Sequence, residues 1–98
     1  MASRQPIQSI QELEVILSNL VRPLDYGISG VSLFGSLARG EIPNDIDLLI
    51  EHYEQTDLLL QFKVQLEEAC GLPVDIVPSK SMHPIIRYRA LKDLKHVA

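Results

Sequence analysis

The sequence predicts a small α/β protein in which a mixed β-sheet carries helices mainly on one face. Three observations lead there. Apolar residues recur at helical spacing in two stretches, Ile10–Leu20 and Leu59–Leu66. Three short runs rich in Val, Ile and Leu, bounded by Gly, Pro or Asp, read as strands. The second helix lies between the second and third strands, an order that joins parallel neighbours by a crossover.

Taken in order, residues 1–8 are polar, contain a proline and read as a loose lead-in. Ser9 and Glu12 have the spacing of a capping box. Ile10, Leu13, Ile16, Leu17 and Leu20 follow on one helical face. They predict a helix over about Ile10–Val21 that stops before Pro23. Val31, Leu33 and Phe34, set between Gly30 and Gly35, predict a first strand over about Gly30–Phe34. A short structured turn is expected after it, and Asp45–Ile50 reads as the second strand. The second helix is predicted over about Asp57–Ala69, with Thr56 as N-cap, Leu59, Phe62 and Leu66 as its apolar stripe, and Gly71 at its C-cap. Leu72–Val77 reads as a third strand closed by Pro78. A last helix opens at Pro84, with Ile85, Ile86, Leu91 and Leu94 as its apolar side.

The 98 residues suit one small domain spanning 1–98, and 46% hydrophobic with 22% charged residues is an ordinary composition for a packed core. The formal net charge of −4 argues against a general nucleic-acid binder, which needs a basic surface. The charge is unevenly placed. Glu41–Asp75 holds nine acids and one base, whereas Ser79–Ala98 holds five bases and one acid. An acidic middle suits a site that needs cations, and a basic tail suits contact with anions. A single cysteine, Cys70, excludes an intrachain disulfide and fits a reducing compartment. No apolar run resembles a signal peptide or approaches the ~20 residues of a membrane span. The expectation is a soluble cytoplasmic protein with no membrane and no direct nucleic-acid partner.

The chemistry concentrates between the first two strands. Gly35 lets the backbone approach a bulky anion because no Cβ intervenes. Ser36 adds a hydroxyl, and the N–H groups that start a following helical turn make a phosphate site. Asp45 and Asp47 are two apart on a predicted strand, so both point to one face while Ile46 points into the core on the other. Their oxygens are hard ligands of the kind that hold Mg²⁺ together with substrate phosphates. Asp75 interrupts the apolar run Val74–Val77. If the third strand pairs beside the second, Asp75 lies one strand spacing, ~4.8 Å, from the aspartate pair. Two carboxylates ~5 Å apart repel by about 3 kcal/mol at an effective dielectric of 20. A metal-dependent phosphotransfer site gives a reason to hold three such groups together. Taken singly each feature has a duller reading: a Gly-Ser turn, a solvated Asp-x-Asp strand face, an acid guarding a sheet edge. Their conjunction favours the site.

The run Gly35-Ser-Leu-Ala-Arg-Gly-Glu-Ile-Pro-Asn-Asp-Ile-Asp-Leu-Leu-Ile50, with the Val74–Val77 strand, resembles the signature of minimal nucleotidyltransferases. These are single-domain members of the DNA polymerase β superfamily. The resemblance covers most of the chain and implies a nucleotidyltransferase fold using Mg²⁺ and ATP. It implies that Gly35 and Ser36 hold the triphosphate, with Arg39 near the phosphates. It implies that Asp45, Asp47 and Asp75 form the metal-binding and catalytic set, Asp75 helping to activate the attacking hydroxyl as general base. It further implies an antitoxin that transfers AMP to a tyrosine of a HEPN-domain ribonuclease toxin, its partner in a hetero-oligomer. One departure is visible: the family pattern has two residues more between the serine and the first aspartate than the eight of Leu37–Asn44. That departure motivates a second reading, a binding antitoxin that masks its toxin by contact. A third, transfer to a small molecule, would need acceptor-binding residues for which this length leaves no space.

Other residues are weaker candidates. Arg87, Tyr88, Arg89, Lys92 and Lys95 make the last helix basic, which fits docking to an acidic partner, phosphate contact or a solvated face. Lys80 reads as a loop lysine. His52, His83 and His96 show no zinc-ligand spacing. Cys70 reads as a small buried apolar residue. Tyr53 could stack on a base or cover the sheet edge. Leu58, Leu59 and Leu60 cannot all face one side, so at least one is expected at the surface.

Overall fold

Helix α1 (Ile10–Asn19) begins where Ser9 and Glu12 place it. The Glu12 N–H donates to Ser9 Oγ at 3.2 Å and Ser9 Oγ donates back to Glu12 Oε1 at 3.1 Å, while Glu12 Oε1 also accepts from the Gln8 N–H. The pair thus occupies backbone donors that the helix cannot satisfy itself. The structure, a computed structural model, describes residues 5–98; the side chains of Ile86, Arg87, Arg89 and Ala90 lie outside the described residues. The parts expected of Ile86, Arg87 and Arg89 therefore fall there too, as does the start of the lead-in. Its remainder is not loose. Ile7 is buried and its N–H donates to the Cys70 carbonyl at 3.0 Å.

A 3₁₀ turn over Pro23–Tyr26 leads into β1 (Ile28–Phe34), then β2 (Ile46–Tyr53), α2 (Thr56–Cys70), β3 (Val74–Pro78), α3 (Pro84–Asp93) and a two-residue β4 (Lys95–His96). The sheet order is β3-β2-β1-β4. β1 pairs antiparallel with β2 and β4, and β2 pairs parallel with β3 through α2, as the crossover order predicts. β4 is absent from the sequence reading; two residues carry too little pattern, and its pairing with Ser32 and Leu33 makes it a strand.

The elements differ from expectation mainly at their ends. α1 stops at Asn19, and Leu20 is exposed rather than part of the apolar face. β1 starts two residues early and β2 runs on to Tyr53, because Ile28 and Ser29 pair with Tyr53 and His52. Thr56 is the first helical residue of α2, preceded by Gln55, whose side chain makes no capping bond. Gly71 closes α2 as expected, with φ 72° and its N–H on the Glu67 carbonyl at 2.9 Å. On α3, Ile85 and Leu91 are exposed, not packed; Leu94, just past the helix, joins an apolar cluster. Among the consecutive leucines, Leu59 is buried and Leu60 is at the surface.

One face of the sheet carries the main core. Val31, Leu33, Ile46, Leu48 and Ile50 meet Leu13, Ile16 and Leu17 of α1 and Leu59, Phe62 and Leu66 of α2. Tyr26 packs edge-on against Phe62 at a centroid distance of 5.6 Å. The other face has a small cluster, Leu49 and Met82 with Phe34, Val77 and Leu94 at its border. The helices α1 and α2 thus share one face, while Met82 and Leu94, on either side of α3, cover Leu49 on the other. No helix among the described residues is long and apolar enough to cross a membrane.

Candidate functional site

The face opposite α1 and α2 holds the carboxylates. Ile46, Leu48 and Ile50 alternate into the main core, so Asp47 and Leu49 point the other way. Asp45 directly precedes β2 and is half-buried. Parallel pairing of β2 with β3 sets Asp47 opposite Asp75, the condition on which the sequence argument depended. One oxygen from each of Asp45, Asp47 and Asp75 lies within 4.8 Å of the other two. No other cluster of three metal-ligating residues occurs among the described residues. An octahedral Mg²⁺ with oxygens ~2.1 Å away spans ~4.2 Å between opposite ligands, so this donor set fits the ion in chemistry and in size.

The turn after β1 packs against these carboxylates. Gly35 has φ 80°, and a Cβ built on it would collide with Asp47 Oδ2 and stand 3.2 Å from its Cγ. Both facts require glycine there. The chain then makes a single helix-like turn. The Arg39 N–H is shared between the Gly35 carbonyl at 3.2 Å and the Ser36 carbonyl at 3.1 Å, and the Gly40 N–H donates to Leu37 at 3.0 Å. The first N–H groups of such a turn have no partner within it, which suits them to an anion. Leu37, Ala38 and Pro43 are buried and pin the short Leu37–Asn44 connection to the body.

Electrostatics follow from this crowding. The Asp47 carboxyl is pushed up to about 6, first by burial, then by the neighbouring charges of Asp45 and Asp75; Arg39 partly offsets them. Arg39 itself is held by acids that the sequence reading did not single out. Its Nε and Nη2 donate to Glu41 at 3.2 and 3.3 Å, and its Nη1 donates to Asp93 at 3.2 Å. Glu41 sits two residues on in the signature and could have been read there; Asp93 is 54 residues away and reaches Arg39 only through the fold.

The chain matches the family model described as polymerase beta, nucleotidyltransferase, over residues 11–98. The protein belongs to this nucleotidyltransferase family. Similar proteins agree. A provisionally named protein adenylyltransferase of Methanocaldococcus jannaschii is 39% identical over 74 residues, covering 71% of this chain and 80% of its own. Protein adenylyltransferase MntA of Thermococcus cleftensis is 30% identical over 95 residues, covering 91% and 96%. Among solved structures, one described as a minimal nucleotidyltransferase superposes with TM-score 0.70 at 29% identity, over 89% of this chain and 94% of its own. A Shewanella oneidensis complex of a tri-AMPylated HEPN toxin with its MNT antitoxin matches with TM-score 0.65 at 20% identity, over 91% and 71%, a likeness of fold alone.

Other candidates stand apart from the carboxylate site of this nucleotidyltransferase. Tyr53 lies six residues beyond Asp47 on β2, about 20 Å along the strand, and packs half-buried against the main core. Lys80 is exposed in the 3₁₀ turn beyond the end of β3. His83 caps α3, its Nδ1 accepting the Ile85 N–H at 3.2 Å. Cys70 is buried, as expected of a small apolar residue. Lys92 lies over the exposed Tyr88 ring, 5.1 Å from its centroid.

Proposed function

We propose that this nucleotidyltransferase transfers AMP from Mg·ATP to a tyrosine hydroxyl of a HEPN-domain toxin, with which it forms a hetero-oligomer. The observation that carries the reading is the convergence of Asp45, Asp47 and Asp75 beside the Gly35–Ser36 turn. The adenylyltransferase names of its relatives and the antitoxin in the matching complex point the same way.

In this reading the Gly35–Ser36 turn offers backbone N–H groups and a hydroxyl to the triphosphate. Asp45, Asp47 and Asp75 hold Mg²⁺, which when bound neutralises charge on the carboxylates and phosphates. Asp75, the most exposed of the three, also faces the acceptor and takes its phenolic proton. The tyrosine oxygen bonds to the α-phosphorus, the bond from that phosphorus to the bridging oxygen breaks, and pyrophosphate leaves. Rate comes mainly from positioning and charge neutralisation. Asp75 is exposed on the edge strand β3, within reach of an acceptor brought by another protein. A cytoplasmic setting suits the reaction.

Incubation of the chain with its HEPN-domain partner and Mg·ATP, followed by intact-mass spectrometry, tests the reading. A partner mass increased by one or more AMP units, lost without Mg²⁺ and lost in the double variant Asp45→Asn, Asp47→Asn, is expected. An unmodified partner in a stable complex would replace this reading with masking by contact.

A further inference from the structure

Asp93 ends α3, where the helix dipole disfavours a carboxylate. A residue that breaks a local rule calls for a compensating partner. Here the partner is Arg39, whose Nη1 donates to Asp93 Oδ2 at 3.2 Å. Glu41 takes the other edge of the guanidinium through Nε and Nη2, at 3.2 and 3.3 Å. Two carboxylates from separate elements thus grip three nitrogens of one planar group, which restricts both its position and its tilt. Arg39 also belongs to the turn that packs on the carboxylates: its backbone N–H donates to the Gly35 and Ser36 carbonyls at 3.2 and 3.1 Å, and Gly35 lies against Asp47. From Asp93 the chain turns straight into β4, which lies on β1 at Ser32 and Leu33, just before the Gly35–Ser36 turn.

We propose that Asp93 is a positioning residue: together with Glu41 it holds the Arg39 guanidinium at the edge of the carboxylate site, oriented for the triphosphate. The inference rests on the reading above, in which the triphosphate lies on the Gly35–Ser36 turn. It makes a prediction opposite to that of simple charge. Removing a negative charge near a polyanion site should tighten nucleotide binding. Removing a positioning carboxylate should loosen it, because the arginine loses its orientation.

The experiment measures Mg·ATP affinity of the full chain by calorimetry, with the melting temperature recorded alongside. Asp93→Asn is expected to weaken binding about 3- to 10-fold, the lower part of the range of pairwise couplings between contacting residues. An exposed ion pair contributes little to stability, so the melting temperature should hardly move. Asp93→Glu should restore affinity, and Asp93→Asn should have no further effect in an Arg39→Ala background. Unchanged or tighter binding by Asp93→Asn overturns the proposal, as does an equal loss in the Arg39→Ala background. The readout separates this inference from the transfer reaction: a wild-type chain that binds Mg·ATP but labels no partner overturns the adenylyl-transfer reading, while the affinity ratios still decide the role of Asp93. A wild-type chain that binds no Mg·ATP overturns both.

Discussion

The α-carbon of Gly35 is packed against the carboxylate of Asp47, with no room for a methyl group between them. The backbone that would receive a phosphate and the side chain that would hold a cation are therefore neighbours through direct contact. Leu37, Ala38 and Pro43, all buried, hold the connection from Leu37 to Asn44 against the body beside this contact.

Gly35→Ala should disturb both sides of that contact. The φ of 80° alone opposes a side chain and should cost about 1–3 kcal/mol, and the collision displaces Asp47. Thermal unfolding should show the loss of stability. Mn²⁺ or Mg²⁺ titration should show at least a tenfold loss of affinity.

Asp47 makes the metal-free protein sensitive to pH. Its carboxyl titrates near 6 in the folded chain, against an ordinary value of 3.8, so between these values the folded state binds more protons than the unfolded state. Stability of the metal-free chain should therefore fall as pH rises from about 4 to about 6, then level off. At full strength a shift of this size corresponds to about 3 kcal/mol; solvent screening at this half-open site reduces it to about 1 kcal/mol. Denaturant titrations across this range with a chelator present check the sign. Asp47→Asn should stabilise the metal-free chain at neutral pH while abolishing metal binding. Metal affinity of the wild type should fall by about tenfold per pH unit below 6, as the cation competes with one proton.

Asp75→Asn separates binding from chemistry. Asp75 is exposed at the sheet edge, and Asp45 and Asp47 remain to hold a cation. In the proposed reaction, with Asp75 as general base, transfer of AMP to the partner should drop by about 10²- to 10⁴-fold, with a smaller loss in nucleotide affinity. Equal losses in both would make Asp75 a ligand only.

Phe62 tests the scaffold. It is fully buried between α2 and the sheet and receives the edge of Tyr26. Phe62→Ala should cost about 3–5 kcal/mol. Folded domains of this size are only marginally stable, so chemical denaturation should find the variant largely unfolded or close to it.

The sequence alone determined the features that depend on local chemistry. The Ser9–Glu12 box placed the start of α1, Gly71 placed the end of α2, and the period-two spacing around Ile46 placed Asp47 away from the core, whereas Asp45, expected on the same strand, lies in the bend just before it. These follow from hydrogen-bonding groups and side-chain periods within a few residues of one another. Tertiary structure decided the rest. Which strand lies beside β2 is a non-local choice, and it alone brings Asp75 to Asp47. The grip of Asp93 on Arg39 joins residues 54 apart, and no spacing in the chain announces it. The ends of β1 and β2 lie beyond the stretches that composition marks, because pairing across the sheet extends them to Ile28 and Tyr53. Ile85 and Leu91 are apolar residues of α3 yet exposed, because apolar character along a helix says nothing of whether another element covers it.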